Sequence, residues 1–403
     1  MKKLTLTVLV LFFVFLFSAC NNENTNNKTI IRFSSWGSKT EYNILKKVIS
    51  EYENRHSDIK IEFIHVPENY FRKLHLLYAS KTEPDVVFIN NTYAPLYIKA
   101  DLLEDLSDLI SDGTFFKSST DCFKYDGKVY AVPRDVSGLV IYINKNFIKH
   151  PEKIKNIYDL KKYAKEVSNQ NIFGLNFETN PLFWIYYLEY FGGGILSDDG
   201  KNIIFNSEKS IEGLKFYSDM INKDHSIPKK YQMSGMTSAQ MFINQKIAMY
   251  LSGRWMVPKF RETLTFDWDV IPFPFDNDSK NLIDASGWAI SKSSKHKQEA
   301  LDFIKYLSSK EVSEIFTKSG LITPARTDVA NSNIFLDKDL KPKNSVVFVS
   351  TLNNSKSTPV NENYAKITDE IIKETEPVFN GSKTVDEIMT EKFKKQLRKY
   401  NSN

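Results

Sequence analysis

The sequence predicts an α/β fold in which two lobes are joined by a hinge. Its 403 residues are enough for about two domains. Short β-rich runs alternate with helical periodicities, which is typical of a parallel sheet with helices on both faces. Between residues 126 and 145, two β-rich runs are joined by a short link that contains Pro133 and Gly138. Because proline cannot sit inside a central strand, this link predicts a crossing between the lobes.

The first 20 residues differ in composition from the rest. Two lysines precede an apolar run, residues 4–17, and Cys20 follows it after two small residues. The run is short for a membrane-spanning helix and polar sequence follows it, which predicts a secretory signal over residues 1–19. Its end resembles a bacterial lipobox, with Phe17 where leucine is usual. This resemblance implies lipidation of Cys20 and a lipidated tether over residues 20–29; an ordinary signal peptide cut nearby is the alternative.

Charge and cysteine content argue against a nucleic-acid partner and against internal disulfides. Removal of the two lysines with the signal lowers the net charge from +5 to +3, which gives no electrostatic reason to expect a nucleic-acid partner. Besides Cys20, the chain has only Cys122. We therefore expect no internal disulfide, and the core alone must stabilise the fold.

The first half of the mature chain is predicted to alternate between strands and helices. Ser38 and Glu41 are spaced as a capping box, in which each side chain accepts a hydrogen bond from the other residue's backbone N–H. The apolar run before Asn90 is typical of a buried parallel strand. The predicted strands are 30–35, 59–63, 85–89, 128–132 and 139–143, and the predicted helices start at Ser38 and span 69–80.

The second half continues the same alternation. Asn180-Pro181 predicts a cap and first turn, and Gly192–Gly194 predicts the end of the helix that follows. Ser207 and Thr384 predict two further helix starts. The other predicted helices are 157–167, 253–260, 297–307 and 311–318, and the predicted strands are 173–177, 246–250 and 287–291. Residues 268–275 are predicted to be an extended segment marked by prolines.

Short motifs along nearly the whole mature chain resemble, in order, those of the bacterial extracellular solute-binding proteins of family 1, the capture subunits of ABC importers. The most informative is the Asp-Gly-Lys-Val-Tyr-Ala-Val run ending at Pro133, followed by Tyr142 and Asn144, although Ile143 separates the usual Tyr-Asn pair. The others are Trp36, Pro84-Asp85-Val86, Tyr158-Asp-Leu160, Gly192–Gly194, Ala248-Met249, Gly253-x-Trp255, Gly287-Trp288 and Gly320-x-x-x-Pro324.

The resemblance implies a two-lobe, periplasmic-binding-protein-like fold of type II, with a ligand cleft between lobes that about three crossings connect. Each lobe is then discontinuous in sequence. The implied N-terminal lobe comprises residues 30–134 plus 284–326. The implied C-terminal lobe comprises residues 135–283 plus 327–403.

Catalytic patterns are missing from the sequence. There is no Gly-x-Ser-x-Gly elbow, no His-Glu-x-x-His spacing among the six histidines and no Walker A loop. We therefore predict no catalytic residue, no metal site and no cofactor. A secreted carbohydrate-active enzyme is the alternative; it would need two cleft carboxylates, and Asp267 with Asp269 is only an acidic pair at unknown distance. An adhesion protein would be favoured by repeats, and none are found.

Tryptophan is the residue type that indicates a ligand. A sugar ring presents an apolar face and a rim of hydroxyls, so a cleft that binds it needs flat aromatic faces and polar side chains. Four tryptophans lie at strand ends or helix starts beside the motifs, and we expect them to contact ligand: Trp36, Trp184, Trp255 and Trp288. The alternative for each is a place in the core.

Polar candidates complete the predicted site. Asn90 and Asn91 follow the third strand, where the family often places a ligand-contacting side chain; a turn is the alternative. Glu41 matches a position sometimes used for sugar hydroxyls, although the capping box also explains it. Gly193, the middle residue of the Gly192–Gly194 motif, is a further predicted ligand-binding residue. Arginines near the crossings could hold a carboxylate or sulfate, or could form inter-lobe salt bridges: Arg134, Arg254 and Arg326.

The resulting hypothesis is a lipid-anchored solute-binding protein of an ABC importer, on the extracellular face of the cytoplasmic membrane. It would capture a mono- or oligosaccharide by hinge closure and deliver it to a membrane permease. We expect a monomer. A binding protein of the same fold for an anion, a polyol or a peptide remains the alternative within this class.

Overall fold

The structure, a computed structural model, describes residues 28–110, 113–276 and 279–401. The predicted signal, Cys20 and nearly all of the predicted tether lie outside the described residues. Within them, no helix combines the length and the apolar character needed to cross a membrane.

The described part of the chain forms strands of two to ten residues. They are β1 (Thr29–Ser35), β2 (Ile59–His65), β3 (Val86–Asn90), β4 (Lys124–Tyr125), β5 (Lys128–Val129), β6 (Val132–Gly138), β7 (Val140–Asn144), β8 (Phe173–Asn176), β9 (Ile247–Ser252), β10 (Trp268–Pro272), β11 (Asn281–Ile290) and β12 (Ser355–Ser357).

The α-helices alternate with these strands in the first half and predominate after β11. They are α1 (Lys39–Arg55), α2 (Tyr70–Ala79), α3 (Ala94–Lys99), α4 (Lys117–Asp121), α5 (Ile157–Val167), α6 (Pro181–Tyr190), α7 (Glu208–Asn222), α8 (Ser238–Ile243), α9 (Val257–Thr263), α10 (Lys297–Leu307), α11 (Lys310–Lys318), α12 (Thr327–Ala330), α13 (Val347–Asn353), α14 (Tyr364–Asn380), α15 (Val385–Ile388) and α16 (Glu391–Arg398).

The first sheet has the order β12-β11-β3-β1-β2, and β6 also pairs with β11. Strands β1, β2 and β3 are mutually parallel, as the alternation with helices predicts, and β3 is apolar and buried from Val86 to Ile89. The later strand β11 runs antiparallel to β3 and β6 and parallel to β12. This sheet forms one core with α1, α10 and α11, in which Phe33, Tyr52, Phe303 and Phe316 are fully buried.

Pro133 lies inside β6, which contradicts the prediction that the strand ends before it. Strand β6 pairs along one edge with β11, and the register shifts there: Asp135 lies opposite Ser286, whereas Pro133 lies opposite Gly287. Arg134 is therefore the extra residue of a β-bulge. A bulge interrupts the ladder and so tolerates a proline that cannot donate a ladder hydrogen bond.

The chain passes from the first sheet to the second beside Leu139. Strand β6 ends at Gly138 in the first sheet, and β7 begins at Val140 in the second. The crossing thus follows the proline-containing segment by a few residues. It is short because Leu139 alone separates the two strands.

The second sheet has the order β10-β7-β9-β8 and is mixed rather than parallel. Only β8 and β9 are parallel, because β7 and β10 belong to segments that enter or leave this sheet directly, without a crossover helix. Two apolar clusters pack on its faces. One holds the aromatic side chains of α6 and α7, and the other centres on Tyr142, Phe260 and Trp268.

Helix α14 was not predicted, although its sequence carries a helical signal. Its buried residues Tyr364, Ile367, Ile371 and Val378 recur at three to seven positions, as on one face of a helix. Pro377 lies inside the last turn, and Gly381 ends the helix with φ +84°. This helix packs its apolar face into the core of the second lobe.

Candidate functional site

A cleft of about 810 Å³ lies between the two sheets and is the candidate ligand site. Parallel strands β1 and β3 of the first sheet end at it; Trp36, which follows β1, Asn90 at the end of β3 and the next residues, 91–93, line it. This is the edge at which open α/β sheets bind ligands. The opposite wall comes from Trp255, the start of α6 and one face of α14.

Two tryptophans present partly exposed rings to the cleft from opposite walls. Trp36 is 46% exposed and Trp255 is 37% exposed, unusually high values for large aromatic side chains in a concave site. Trp36 leans on Phe88, with ring centroids 5.9 Å apart. The Trp255 ring lies over Gly253, where an added Cβ would be 1.9 Å from it, so only glycine leaves room for this ring position.

Arg134 is held between two carboxylates at the floor of the cleft. Its Nη1 donates to Glu41 Oε1 at 2.5 Å, and its Nε donates to Asp135 Oδ2 at 2.6 Å. Ser286 Oγ on β11 donates to the same Asp135 oxygen at 2.6 Å. The β-bulge directs the Arg134 side chain into this position, and all three ionised groups are at least nine-tenths buried.

The surroundings of Arg134 stabilise its positive charge. Burial by itself lowers the pKa of the guanidinium, but the carboxylates of Asp135 and Glu41 outweigh that effect and leave the pKa above its ordinary value. The rings of Phe88, Trp288 and Phe316 lie 5.1–5.4 Å from the guanidinium carbon. Such contacts add cation–π attraction.

The predicted capping box is half formed. The Ser38 hydroxyl accepts a hydrogen bond from the Glu41 N–H at 3.3 Å, as expected. The Glu41 carboxylate turns instead to Arg134, because an ion pair with a buried guanidinium is stronger than a bond to one backbone N–H. It packs on Gly37, where an added Cβ would be 2.4 Å from Glu41 Oε2.

The two asparagines after β3 have structural partners. Asn90 Oδ1 accepts a hydrogen bond from the Tyr93 N–H at 3.1 Å, which is the turn role weighed from the sequence. Asn91 is fully buried; its Nδ2 donates to Asp284 Oδ1 at 2.8 Å and its Oδ1 accepts from the Ala285 N–H at 3.1 Å. Both residues line the cleft, but Asn91 mainly positions Asp284.

Asp284 lies on β11 and is a partly buried carboxylate of the cleft. Burial raises its pKa above the ordinary value, while hydrogen bonds from Asn91 and Thr358 act in the opposite direction. Both of these partners are neutral. The carboxylate thus has hydrogen bonds but no countercharge.

Two of the four predicted tryptophans lie in the core, which corrects the prediction of cleft contact for them. Trp184 is 0% exposed on α6, packs between Phe205 and Phe379, and donates its Nε1–H to Thr179 O at 3.2 Å. Trp288 is also 0% exposed and packs against Phe33. Each belongs to an element that is covered on every side, which the spacing of motifs along the chain does not reveal.

Three other predicted residues lie outside the cleft lining. Gly193 has no open side: an added Cβ would be 2.5 Å from Ser210 N, so its role is close packing of the turn after α6 on α7. Arg326 forms a two-pronged ion pair with Asp328 at 3.0–3.1 Å. Arg254 is buried, donates to Gly320 O at 3.2 Å, and stacks between Phe335 and Phe348.

Several lining residues were missed from the sequence. Asp135 and Asp284 stand on strands beside recognised motifs, and polarity within an apolar strand was the available signal. The wall formed by α14 contributes Tyr364, Thr368 and Asp369. It was missed because the helix itself was not predicted.

The geometry is that of a binding site. Glu41 and Asp135 are both held by one guanidinium, so they are not a free acid and base placed across a substrate. In the described ranges, no three His, Cys, Asp or Glu side chains are grouped so as to hold a metal ion. Exposed aromatic faces, hydroxyls and amides line an interlobe cleft, which defines the class of two-lobe ligand-binding proteins.

Comparison with known proteins gives the family within this class. The family model of bacterial extracellular solute-binding proteins matches residues 47–342, and the chain belongs to that family. An ABC substrate-binding protein from Listeria monocytogenes, solved in complex with cycloalternan, has the same fold. Its TM-score is 0.83 at 24% identity, over 92% of this chain and 98% of that one.

Two curated relatives are similar in sequence. A galactooligosaccharide-binding protein of Bacillus subtilis is 24% identical over 319 residues, which is 73% of each chain. A maltotriose-binding protein of Pyrococcus abyssi is 21% identical over 58% of this chain, which spans about half of that relative's length (51%).

Proposed function

We propose that this protein is the substrate-binding component of an ABC importer and captures a carbohydrate in the cleft. The observation that carries the proposal is the pair Trp36 and Trp255, which expose ring faces to one cavity from opposite walls. Two such faces can each stack on the apolar side of a sugar ring, which fits a ligand of two or more rings. The names of the galactooligosaccharide- and maltotriose-binding relatives support an oligosaccharide.

The polar contacts of the proposed site come from residues between the two tryptophans. Asn90, Asp284, Thr358 and Thr368 line the cleft and can hydrogen-bond sugar hydroxyls. Arg134 lies at the floor of the cleft, where Glu41 and Asp135 already neutralise its charge, so it is not an anion receptor. This pairing argues against an anionic ligand held by arginine.

Hinge closure is the proposed mode of capture. Sheet membership supports lobe boundaries beside Leu139 and between Pro272 and Asn281, a few residues from those expected from the sequence. A third crossing near Arg326 is supported by the cores, because Ala325 belongs to the first lobe's core and Ala330 to the second's. Short strand-to-strand links such as Leu139 are positions that can absorb the change in backbone angles.

The protein's place in the cell follows from family and sequence together. We propose that Cys20 is lipidated after removal of residues 1–19 and that the monomer is anchored on the extracellular face of the membrane. There the closed, loaded form meets the permease. We propose no enzymatic activity, and release of a product from a bound glycan would contradict this.

The first test is thermal unfolding of the mature protein with a panel of mono- and oligosaccharides, sugar acids, polyols and peptides. A ligand that binds only the folded state raises the melting midpoint, by about 2.7 kcal/mol of stability at a hundredfold excess over Kd. We expect a shift with an oligosaccharide. A shift confined to sugar acids or peptides would overturn the carbohydrate assignment.

Variants of the two tryptophans then place the site. Trp36→Ala and Trp255→Ala are each expected to weaken the affinity for the best saccharide at least about tenfold, since each removes one stacking face. Both side chains are exposed, so folding is not at risk. Tyr231→Ala is the matched control, because Tyr231 is 74% exposed and lies outside the cleft lining.

A further inference from the structure

The charges that line the cleft are unbalanced. Its lining contains the four carboxylates of Glu41, Asp135, Asp284 and Asp369 and a single cation, Arg134. No lysine or histidine is among the described residues that line it. A ligand that enters therefore meets a cavity of net negative charge.

Arg134 cannot offset the charge of a ligand. Two of its nitrogen atoms donate to Glu41 and Asp135 at 2.5 and 2.6 Å, and three aromatic rings surround it. Freeing the guanidinium for a ligand carboxylate would leave two buried carboxylates unpaired, which is costly. The single positive group is thus committed within the protein.

Asp284 and Asp369 are the uncompensated pair, one from each wall. Asp284 accepts a hydrogen bond from the neutral side chain of Asn91 and forms no ion pair within the described part of the chain. Burial raises its pKa, and the hydrogen bonds from Asn91 and Thr358 only partly oppose that effect. A cation placed beside it would supply a countercharge.

Asp369 lies on the exposed face of α14 and forms no hydrogen bond or ion pair with another described residue. Its charge nevertheless acts at Tyr93 on the opposite wall. Burial raises the pKa of the Tyr93 hydroxyl, and the negative charge of Asp369 raises it further. The electrostatic influence of this carboxylate therefore spans the cleft.

We propose that the cleft selects saccharides by the sign of their charge: it binds an oligosaccharide that carries a protonated amino group more tightly than the neutral parent, and rejects the acidic counterpart. Asp284 and Asp369 are the specificity-determining residues. Low-dielectric walls strengthen such selection, and an unpaired like charge excludes the wrong ligand. This inference rests on the proposed carbohydrate-binding function and names its ligand class.

The test is calorimetric titration with a neutral parent saccharide and its matched amine and carboxylate derivatives. The parent is the neutral saccharide that raises the melting midpoint most. The derivatives replace the 6-hydroxyl of a terminal ring by an amine or oxidise that carbon to a carboxylate, at either end of the chain. At low salt, the better amine derivative is expected to bind at least about fivefold tighter than the parent, and both carboxylate derivatives at least about fivefold weaker.

Single-residue variants assign the effect. Asp369→Asn is expected to bring the amine-to-parent ratio of affinities towards one, and Asp284→Asn to lower it further. Glu212→Gln removes another exposed carboxylate, on α7 and outside the cleft lining, and should leave the ratio unchanged. Added salt should weaken the contribution of the exposed Asp369 to this ratio more than the contribution of the partly buried Asp284.

The possible results distinguish failure of the charge selection from failure of the proposed carbohydrate binding. If the parent binds but neither amine derivative binds more tightly, or a carboxylate derivative binds as well, charge selection is wrong and carbohydrate binding stands. A ratio that survives both aspartate substitutions rejects these residues as its source. If the parent and all of its derivatives leave the protein unchanged, the proposed function fails and this inference with it.

Discussion

Arg134 carries its charge in a site that water barely reaches, and two carboxylates stabilise it there. Glu41→Gln removes one of these carboxylates while keeping the shape of the side chain. Because a buried cation then loses half of its countercharge, we expect the free energy of unfolding to fall by about 3 kcal/mol. Chemical denaturation measures this difference.

The control for Glu41 is an ion pair of the same lobe on the surface. Glu311 accepts two hydrogen bonds from Arg55 at 2.6 and 3.0 Å, and both side chains are about half exposed. Glu311→Gln is expected to change stability within experimental error, because water screens this pair. Equal changes in the free energy of unfolding would show that the burial of Arg134 does not make its ion pair with Glu41 more stabilising than the surface pair.

Asp284 predicts a dependence of stability on pH. Burial raises its pKa above the ordinary 3.8, so the folded protein holds a proton over a range where the unfolded chain has lost it. The stabilisation from this group is complete below the ordinary pKa and disappears as pH rises through the folded-state pKa. Asp284→Asn abolishes the titration. We therefore expect wild type to lose stability relative to the variant as pH rises from about 4.

The measurement for Asp284 is urea denaturation of both proteins between about pH 3.5 and 7. Other buried carboxyl groups with raised pKa values, such as Glu178 and Glu189, are present in both proteins and cancel in the difference. A difference that stays constant with pH would mean that the pKa of Asp284 is the same in the folded and unfolded states.

At single positions, sequence patterns predict where a tryptophan stands along the chain but not what covers it. Trp36 and Trp255 both line the cleft, and Gly253 leaves room for the Trp255 ring. Trp184 and Trp288 sit beside equally good motifs, yet neighbouring elements cover them completely. Burial depends on contacts distant in sequence, so these two cases could not be separated beforehand.

At the scale of elements, the turn after α6 depends on a glycine that has no role in the cleft. Gly193→Ala would place a methyl group 2.5 Å from Ser210 N on α7, so backbone must shift. Overpacking of this kind costs about 2 kcal/mol. We expect a lower melting midpoint and an unchanged Kd for the best saccharide at temperatures where the variant is folded. A specific loss of affinity would restore Gly193 as a ligand residue.

Elements with a strong local sequence signal were predicted, whereas the bounds of elements that depend on pairing with distant strands were not. The capped helices α5, α6 and α7 begin where Asn156, Asn180 and Ser207 accept hydrogen bonds from the first turn. Strand β11 starts at Asn281, six residues before the predicted strand, because β12 and β6 pair with its first half. Such pairing is a tertiary effect that local propensity does not contain.

The arrangement of the whole molecule separates the two stacking faces between lobes. Trp36 follows a strand of the first sheet, and Trp255 follows β9 of the second. A ligand that touches both binds the closed form better than the open form, and this difference in affinity shifts the population towards closure. The proposed hinge motion therefore needs both tryptophans, whereas initial binding needs only one.

Small-angle X-ray scattering tests this requirement. Saturating saccharide is expected to reduce the radius of gyration of wild type, and of the exposed-surface control Tyr231→Ala, by the same amount. Trp255→Ala, saturated at the higher concentration that calorimetry shows it needs, should keep the radius of the ligand-free protein, because its ligand holds one lobe only. If saturated wild type also keeps that radius, capture occurs without closure. If saturated Trp255→Ala contracts like wild type, other contacts of the second lobe, such as those of α14, drive the motion.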